Sequence, residues 1–170
     1  YDLSGFLAGR NMLDPVAREG MGDVRGKSLL HLQCHFGLDT LSLARQGARV
    51  TGVDLSSTAI EKAKQLQTAV NAQNPIEANF ICAEVIEFLS SQKHQYDIVF
   101  TSFGAICWLP DLDVWACGIA QSLKQNGRFY MAEFHPFLDL LEQWTPIPPV
   151  AEGQGVDGFQ QASAEAGIVC

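Results

Sequence analysis

The stretch LLHLQCHFGLDTLSLARQGARVTGVDLSS, residues 29–57, decides the fold. Residues 28–33 (SLLHLQ) form a short apolar run of the length of a buried strand. Leu38, Leu41, Leu43 and Ala44 then recur at helical spacing over 38–46, and Gly47 supplies a helix stop. Residues 48–53 (ARVTGV) read as a second strand ending at Asp54. Ser56 or Ser57 caps the next helix, which gathers Ala59, Ala63, Leu66 and Val70 on one face. Strand, helix, strand and helix in immediate succession make a parallel unit covered by its own crossovers.

Outward from that unit the alternation continues. Asn74-Pro75 breaks the second helix, and 79–82 (NFIC) reads as a third strand followed by a helical turn over roughly 84–91. Residues 97–103 (DIVFTSF) form the clearest buried strand. Pro110-Asp111 opens a helix with Leu112, Trp115, Ala116, Ile119 and Leu123 at helical spacing. Asn126-Gly127 predicts a turn into a fifth strand, RFYMAEF. Near-continuously apolar strands imply a parallel sheet with both faces covered, hence an α/β, doubly wound class. After Pro136 the sequence becomes rich in proline and glycine, and the last dozen residues suffice for a helix and the start of a sixth strand.

Composition excludes several other classes. Of 170 residues, 47% are hydrophobic and 18% charged, which excludes disorder, collagen and coiled coil. No apolar run approaches the ~20 residues of a membrane-spanning helix. The opening YDLSGFLAGR lacks the basic-then-apolar plan of a signal peptide, and Tyr1 in place of Met suggests a trimmed start. Nineteen acidic residues against 11 basic ones give a net charge of −8, which disfavours a nucleic-acid partner. Five cysteines at irregular spacing (Cys34, Cys82, Cys107, Cys117 and Cys170) form no disulfide framework. Four of them sit in apolar stretches, where free cysteine acts as a small core residue. A reducing, cytoplasmic setting is the simplest expectation.

In an open parallel sheet the ligand sits beyond the carboxyl ends of the strands. The loop HLQCHFG (31–37) leads into a helix N-terminus whose free N–H groups suit a polar ligand, and Gly37 permits close backbone approach. Asp54 ends the second strand, where a carboxylate accepts the hydroxyls of a ribose. Ala83-Glu84 closes the third strand, within reach of an adenine edge. The constellation predicts a nucleoside site.

These residues also carry a family resemblance. LLHLQCHFGLDTLSLARQGARVTGVDLSSTAIEKAKQL resembles the first two motifs of class I S-adenosylmethionine-dependent methyltransferases. FICAEV, YDIVFTSFGAICWLPDL and LKQNGRFYMAEFHP continue the resemblance in order, from about Lys27 to His135. It implies a Rossmann-like sheet, a cytoplasmic enzyme, and methyl transfer from S-adenosylmethionine to a small-molecule acceptor. Asp54 would hold the ribose hydroxyls and Leu55 would lie beside the adenine, with Ala83, Glu84 and Val85 around it. Gln33, Cys34, His35 and Gly37 would line the methionine portion, with Ser102 and Phe103 forming the floor near the methyl group.

The resemblance has two departures. The family loop carries an acid and three glycines, DxGxGxG, where this chain has His31, Gln33, His35 and Gly37. A histidine thus replaces the acid that helps bind the methionine amino group, and two side chains stand where glycines normally admit the ligand. A bacterial branch with LQCHFG-type loops is similar in this respect. Length is the second departure, since the family sheet has seven strands and the last two are expected to be missing here. The expected organisation is a lid or helical segment over 1–26, a cofactor-binding core over 27–136 and an incomplete segment over 137–170. A fifth strand without its neighbours would expose an edge suited to homodimerisation.

Other residues admit competing readings. His31, Cys34 and His35 are zinc-ligand types, but His31 and Cys34 straddle a strand end, so packing is preferred and no metal site is expected. Glu133 and His135 share a face; His135 is the candidate proton acceptor, while Glu133 is read as lining the cofactor edge. Trp108, in a post-strand loop, is the candidate substrate-pocket wall; Trp115 is assigned to the core, and the role of Trp144 is left open. Tyr1, Leu3 and Phe6 belong either to a lid or to a frayed end. Two alternatives remain: a non-catalytic methyltransferase-like module, and a nicotinamide-dependent oxidoreductase. The second wants G-x-G-x-x-G after the first strand, which HLQCHFGLDT lacks.

Overall fold

A computed structural model describes residues 2–135. The chain divides after Glu133 into two units, and all elements below lie in the first. Two short helices, α1 (Leu3–Leu7) and α2 (Pro15–Met21), precede a regular alternation. The alternation runs β1 (Ser28–Leu32), α3 (Leu38–Arg45), β2 (Arg49–Asp54), α4 (Ser57–Asn71), β3 (Ala78–Cys82), α5 (Val85–Ser90), β4 (Tyr96–Ser102), a 3-10 turn (Ile106–Trp108), α6 (Leu112–Ser122) and β5 (Leu123–Ala132). All five strands are parallel, in the order β3-β2-β1-β4-β5. The order reverses at β1, so the carboxyl ends of β1 and its neighbours β2 and β4 frame the crevice where such sheets bind ligands.

The helices begin where local chemistry directs. Asp14 accepts hydrogen bonds from the Val16 and Ala17 N–H groups, with Pro15 at the first helical position of α2. Ser56, not Ser57, caps α4 by accepting from Ala59 N, and Asp111 caps α6 through Asp113 N and Val114 N. Each such cap contributes about 1 kcal/mol.

Alternation along the strands sends side chains to two cores. Leu29 of β1, Val50 of β2, and Ile98 and Phe100 of β4 join Ala17, Met21, Leu43 and Ala44 on one face. Leu30, Leu32, Val53 and Val99 join Val85, Leu89, Trp115 and Ile119 on the other. A third cluster joins Phe6 of α1 to Leu38 and Leu41 of α3, Ile60, Ala63, Leu66 and Val70 of α4, and Phe80 of β3. Phe6 is therefore core, and the N-terminal segment is packed against the sheet layer rather than frayed. Burying each large aliphatic or aromatic side chain contributes roughly 1.5–3 kcal/mol.

Several expectations need correction. Leu112 is 50% exposed and Ala116 lies outward, because α6 buries the stripe Trp115, Gly118, Ile119 and Ser122. β5 begins at Leu123, and the predicted Asn126-Gly127 turn is an irregularity within it: Asn126 has φ 64°, and the pairing with β4 shifts between Tyr96 and Ile98. Among the described cysteines only Cys34 is buried; Cys82, Cys107 and Cys117 are exposed, since each sits on an outward position of an otherwise apolar stretch. Cys170, Trp144 and Tyr1 lie outside the described residues, as does the segment 137–170. At the strand N-termini, the Asp97 carboxylate accepts from Ser28 N (2.8 Å), Ser28 Oγ (2.7 Å) and Lys124 Nζ (3.0 Å), tying β1, β4 and β5 together.

Candidate active site

Beyond the carboxyl ends of β1, β2 and β4 lies a cavity of about 1210 Å³. Its wall includes Gln33, Cys34, His35, Gly37, Asp54, Leu55, Ser102, Phe103 and Trp108, so nine of the expected site residues are brought together. Leu55 and Trp108 present 71% and 67% of their surface, so neither fills a core. Ala83, Glu84 and Val85 stand at the end of β3 outside that wall. Glu84 caps α5 by accepting from Glu87 N at 2.7 Å, and Val85 is buried in the core. His135 follows β5, is exposed, and is the last described residue.

The altered loop keeps the backbone shape its missing glycines would favour. Gln33, His35 and Gly37 have φ of 49°, 49° and 73°, all in the left-handed region. For residues with a Cβ that conformation costs roughly 1–2 kcal/mol each, and specific bonds offset it. The Gln33 amide donates to Ala105 O at 3.2 Å and its Oε1 accepts from Thr101 Oγ1 at 3.3 Å. This draws the side chain across to the loop after β4. His35 N donates to Asp54 Oδ2 at 2.8 Å, while Asp54 Oδ1 accepts from Ser56 N at 2.9 Å. Asp54 is thereby aimed and held at the cavity wall. Gly37 is required by packing as well as by φ: a Cβ there would lie 2.6 Å from the Phe80 ring.

His31 has become a buried structural residue. Its ring stacks on Phe100 with centroids 4.6 Å apart, and Nδ1 lies 2.8 Å from Thr40 Oγ1. Burial pushes its pKa down to about 3, so the imidazole is neutral at physiological pH. The same cause pushes the Cys34 thiol up to about 12, so it is no nucleophile at neutral pH. Among the described residues no group of three His, Cys, Asp or Glu side chains is placed to hold a metal ion.

Several wall residues escaped the sequence reading. Arg10 to Pro15 and Arg18 close one side of the cavity from the N-terminal segment, although nothing in their local pattern marks them. Asp39, in the first turn of α3, also lines it. Burial raises the Asp39 pKa to about 6, against a hydrogen bond with the Ser102 hydroxyl that lowers it. Its signal was only an acid two residues after Gly37. Glu133 holds the opposite rim. Its carboxylate accepts from the N–H groups of Gly104, Ala105 (3.0 Å) and Ile106 (3.4 Å), fixing the loop that carries Phe103 and Trp108. That tether corrects the expectation that Glu133 itself lines the cofactor edge.

The crevice at the switch point, the acid at the end of β2 and the loop after β1 lie together on a Rossmann-like sheet. Residues 30–131, more than half of the chain, match the methyltransferase domain family, and the chain belongs to it. It is 27% identical over 136 residues to the ubiquinone biosynthesis O-methyltransferase of Citrobacter koseri, covering 78% of this chain and 54% of that protein. The Neisseria meningitidis protein of the same name is also 27% identical over 136 residues, covering 78% of this chain and 56% of its own. The chain thus spans about half the length of these curated relatives. A crystal structure of an S-adenosylmethionine-dependent methyltransferase from Mesorhizobium loti superposes with a TM-score of 0.60 at 23% identity, covering 76% of this chain and 56% of that one. No helix among the described residues is long and apolar enough to cross a membrane.

Proposed function

We propose that this protein transfers a methyl group from S-adenosylmethionine to a small-molecule acceptor. The carrying observation is the cavity at the switch point with Asp54 clamped into its wall. The residues present fit the cofactor. Gln33 and His35 leave the cavity open despite replacing glycines, and its volume exceeds the roughly 300–1,000 Å³ of single-ligand sites. There is room for cofactor and acceptor together.

In this reading Asp54 accepts the ribose hydroxyls, Leu55 flanks the adenine, and Ala83 to Val85 border it from β3. Gln33 to Gly37, with Ser102, hold the methionine portion. Phe103 and Trp108 form the acceptor's wall, kept in place by Glu133. When bound, the cofactor supplies an electrophilic methyl group on a sulfonium. The chain's task is then to align a nucleophile and exclude water, and orientation alone supplies up to ~7–11 kcal/mol of barrier lowering. The ubiquinone-pathway relatives act, by name, as O-methyltransferases, which makes a hydroxyl acceptor the first class to try. The setting we infer is the cytoplasm, with no nucleic-acid partner and with homodimerisation through the edge of β5.

Titration calorimetry with S-adenosylmethionine and S-adenosylhomocysteine tests the reading. The parent is expected to bind both at micromolar concentration and Asp54→Ala to lose at least tenfold, with its fold checked by circular dichroism. Absence of binding to folded parent, or heat from NAD instead, overturns it.

A further inference from the structure

Resting on the cofactor reading above, we propose that Asp39 receives the α-ammonium of the cofactor's methionine portion, from the first turn of α3 rather than from the end of β1. Asp39 lines the cavity together with two other carboxylates, Asp14 and Asp54. Those two already have other work: Asp14 Oδ1 caps α2 by accepting from Val16 N and Ala17 N, and Asp54 holds His35 N and Ser56 N and is assigned to the ribose hydroxyls. The Ser102 hydroxyl favours the charged Asp39 carboxylate, whose lone pairs leave room for a further donor.

Charge points the same way. The ion pairs among the described residues join Arg10 to Asp2 and Lys124 to Asp97, so Asp39 lacks a cation there. Asp14 adds a second negative charge nearby, and burial with that charge lifts the Asp39 pKa to about 6. The strand-end position 31, facing the same cavity, holds a neutral imidazole that offers no charge. A half-buried carboxylate without a cation favours a ligand that brings one. S-adenosylmethionine carries two cations, and only the ammonium has N–H donors to match oxygen lone pairs. Ser102 Oγ also stands 3.4 Å from His31 Nε2.

The test is calorimetry with three ligands on the parent and Asp39→Asn. S-adenosylmethionine carries both cations, S-adenosylhomocysteine only the ammonium, and 5′-methylthioadenosine neither. Asp39→Asn is expected to weaken the first two by about 10–100-fold and to leave the third unchanged. A loss confined to S-adenosylmethionine would assign Asp39 to the sulfonium, and an equal loss or no loss on all three would make it structural; each overturns the proposal. A parent that binds none of the three would sink the cofactor reading itself. A second readout is proton release. At pH 6, in buffers of differing ionisation enthalpy, S-adenosylhomocysteine should release about half a proton from the parent and methylthioadenosine none. Equal release by both ligands would also overturn it. The other charged or titratable groups of the cavity are Arg10, Arg18, Asp14, Asp54, His31, Cys34 and His35. His35 also faces the amino-acid end, so the difference in release between the two ligands should vanish in Asp39→Asn, and its persistence there would overturn the proposal.

Discussion

At Asp39 and His31, burial acts on two groups of opposite charge type, and their effects on stability oppose each other. His31 titrates at 6.5 when exposed but near 3 in the fold, so its contribution is lost as pH falls below 6.5. Asp39 titrates at 3.8 when exposed but near 6 in the fold, so its contribution is present below 3.8 and lost as pH rises towards 6. Between pH 4 and 6 the two slopes offset one another. Asp39→Asn removes one slope, so its stability should climb more steeply with pH over that interval than the parent's, by up to about 1 kcal/mol per pH unit. Urea denaturation at pH 4, 5 and 6 measures this, and parallel curves would contradict it. Above pH 6 the variant should be no less stable than the parent, as expected where a half-buried charge serves a ligand rather than the fold.

At the scale of elements, Gly37 locks the start of α3 against α4 and β3. Its left-handed φ and the missing Cβ facing Phe80 and Ala63 act together. Gly37→Ala should cost about 2–4 kcal/mol, from backbone strain plus overpacking. Gly9, with φ 102° and nothing within 4 Å of its would-be Cβ, supplies the control. Gly9→Ala should cost only the strain, and equal losses at both positions would remove the packing argument. The resemblance expects glycine at 37 for ligand approach, whereas the packing shows that the core also demands it. The elements themselves were legible because their signals are local: helical spacing, capping residues, and apolar runs for buried strands. Boundaries differed where a tertiary partner set them. α6 turns Leu112 outward because Trp115 and Gly118 face the core, and β5 extends back to Leu123 because Tyr96 pairs with it.

For the whole molecule, β5 pairs among the described residues with β4 alone. It presents Phe129 and Met131 at 38% and 45% exposure. An apolar strand edge of that kind favours pairing with a second copy. Light scattering should find the 170-residue chain self-associated, and Met131→Lys should shift it towards monomer; a monomeric parent would count against the edge as an interface. The N-terminal segment is a second feature of this scale. Phe6 enters the core of α3 and α4, while Tyr130 of β5 donates to Val16 O at 3.2 Å, so both ends of the segment are anchored while Arg10 to Pro15 span the cavity.

By itself the sequence determined the α/β class, the order of elements, and the places of Asp54 and the loop after β1. Each rests on periodicity or on position relative to a strand end, which neighbouring residues encode. Only the tertiary structure decided that Gln33 and His35 adopt glycine-like backbone without closing the cavity, because their compensating bonds reach Ala105, Thr101 and Asp54 on other strands and loops. It alone made His31 a neutral core residue and set Asp39 in the cavity wall with its pKa raised to about 6. Burial is a property of what surrounds a side chain, and those surroundings come from segments distant in the chain.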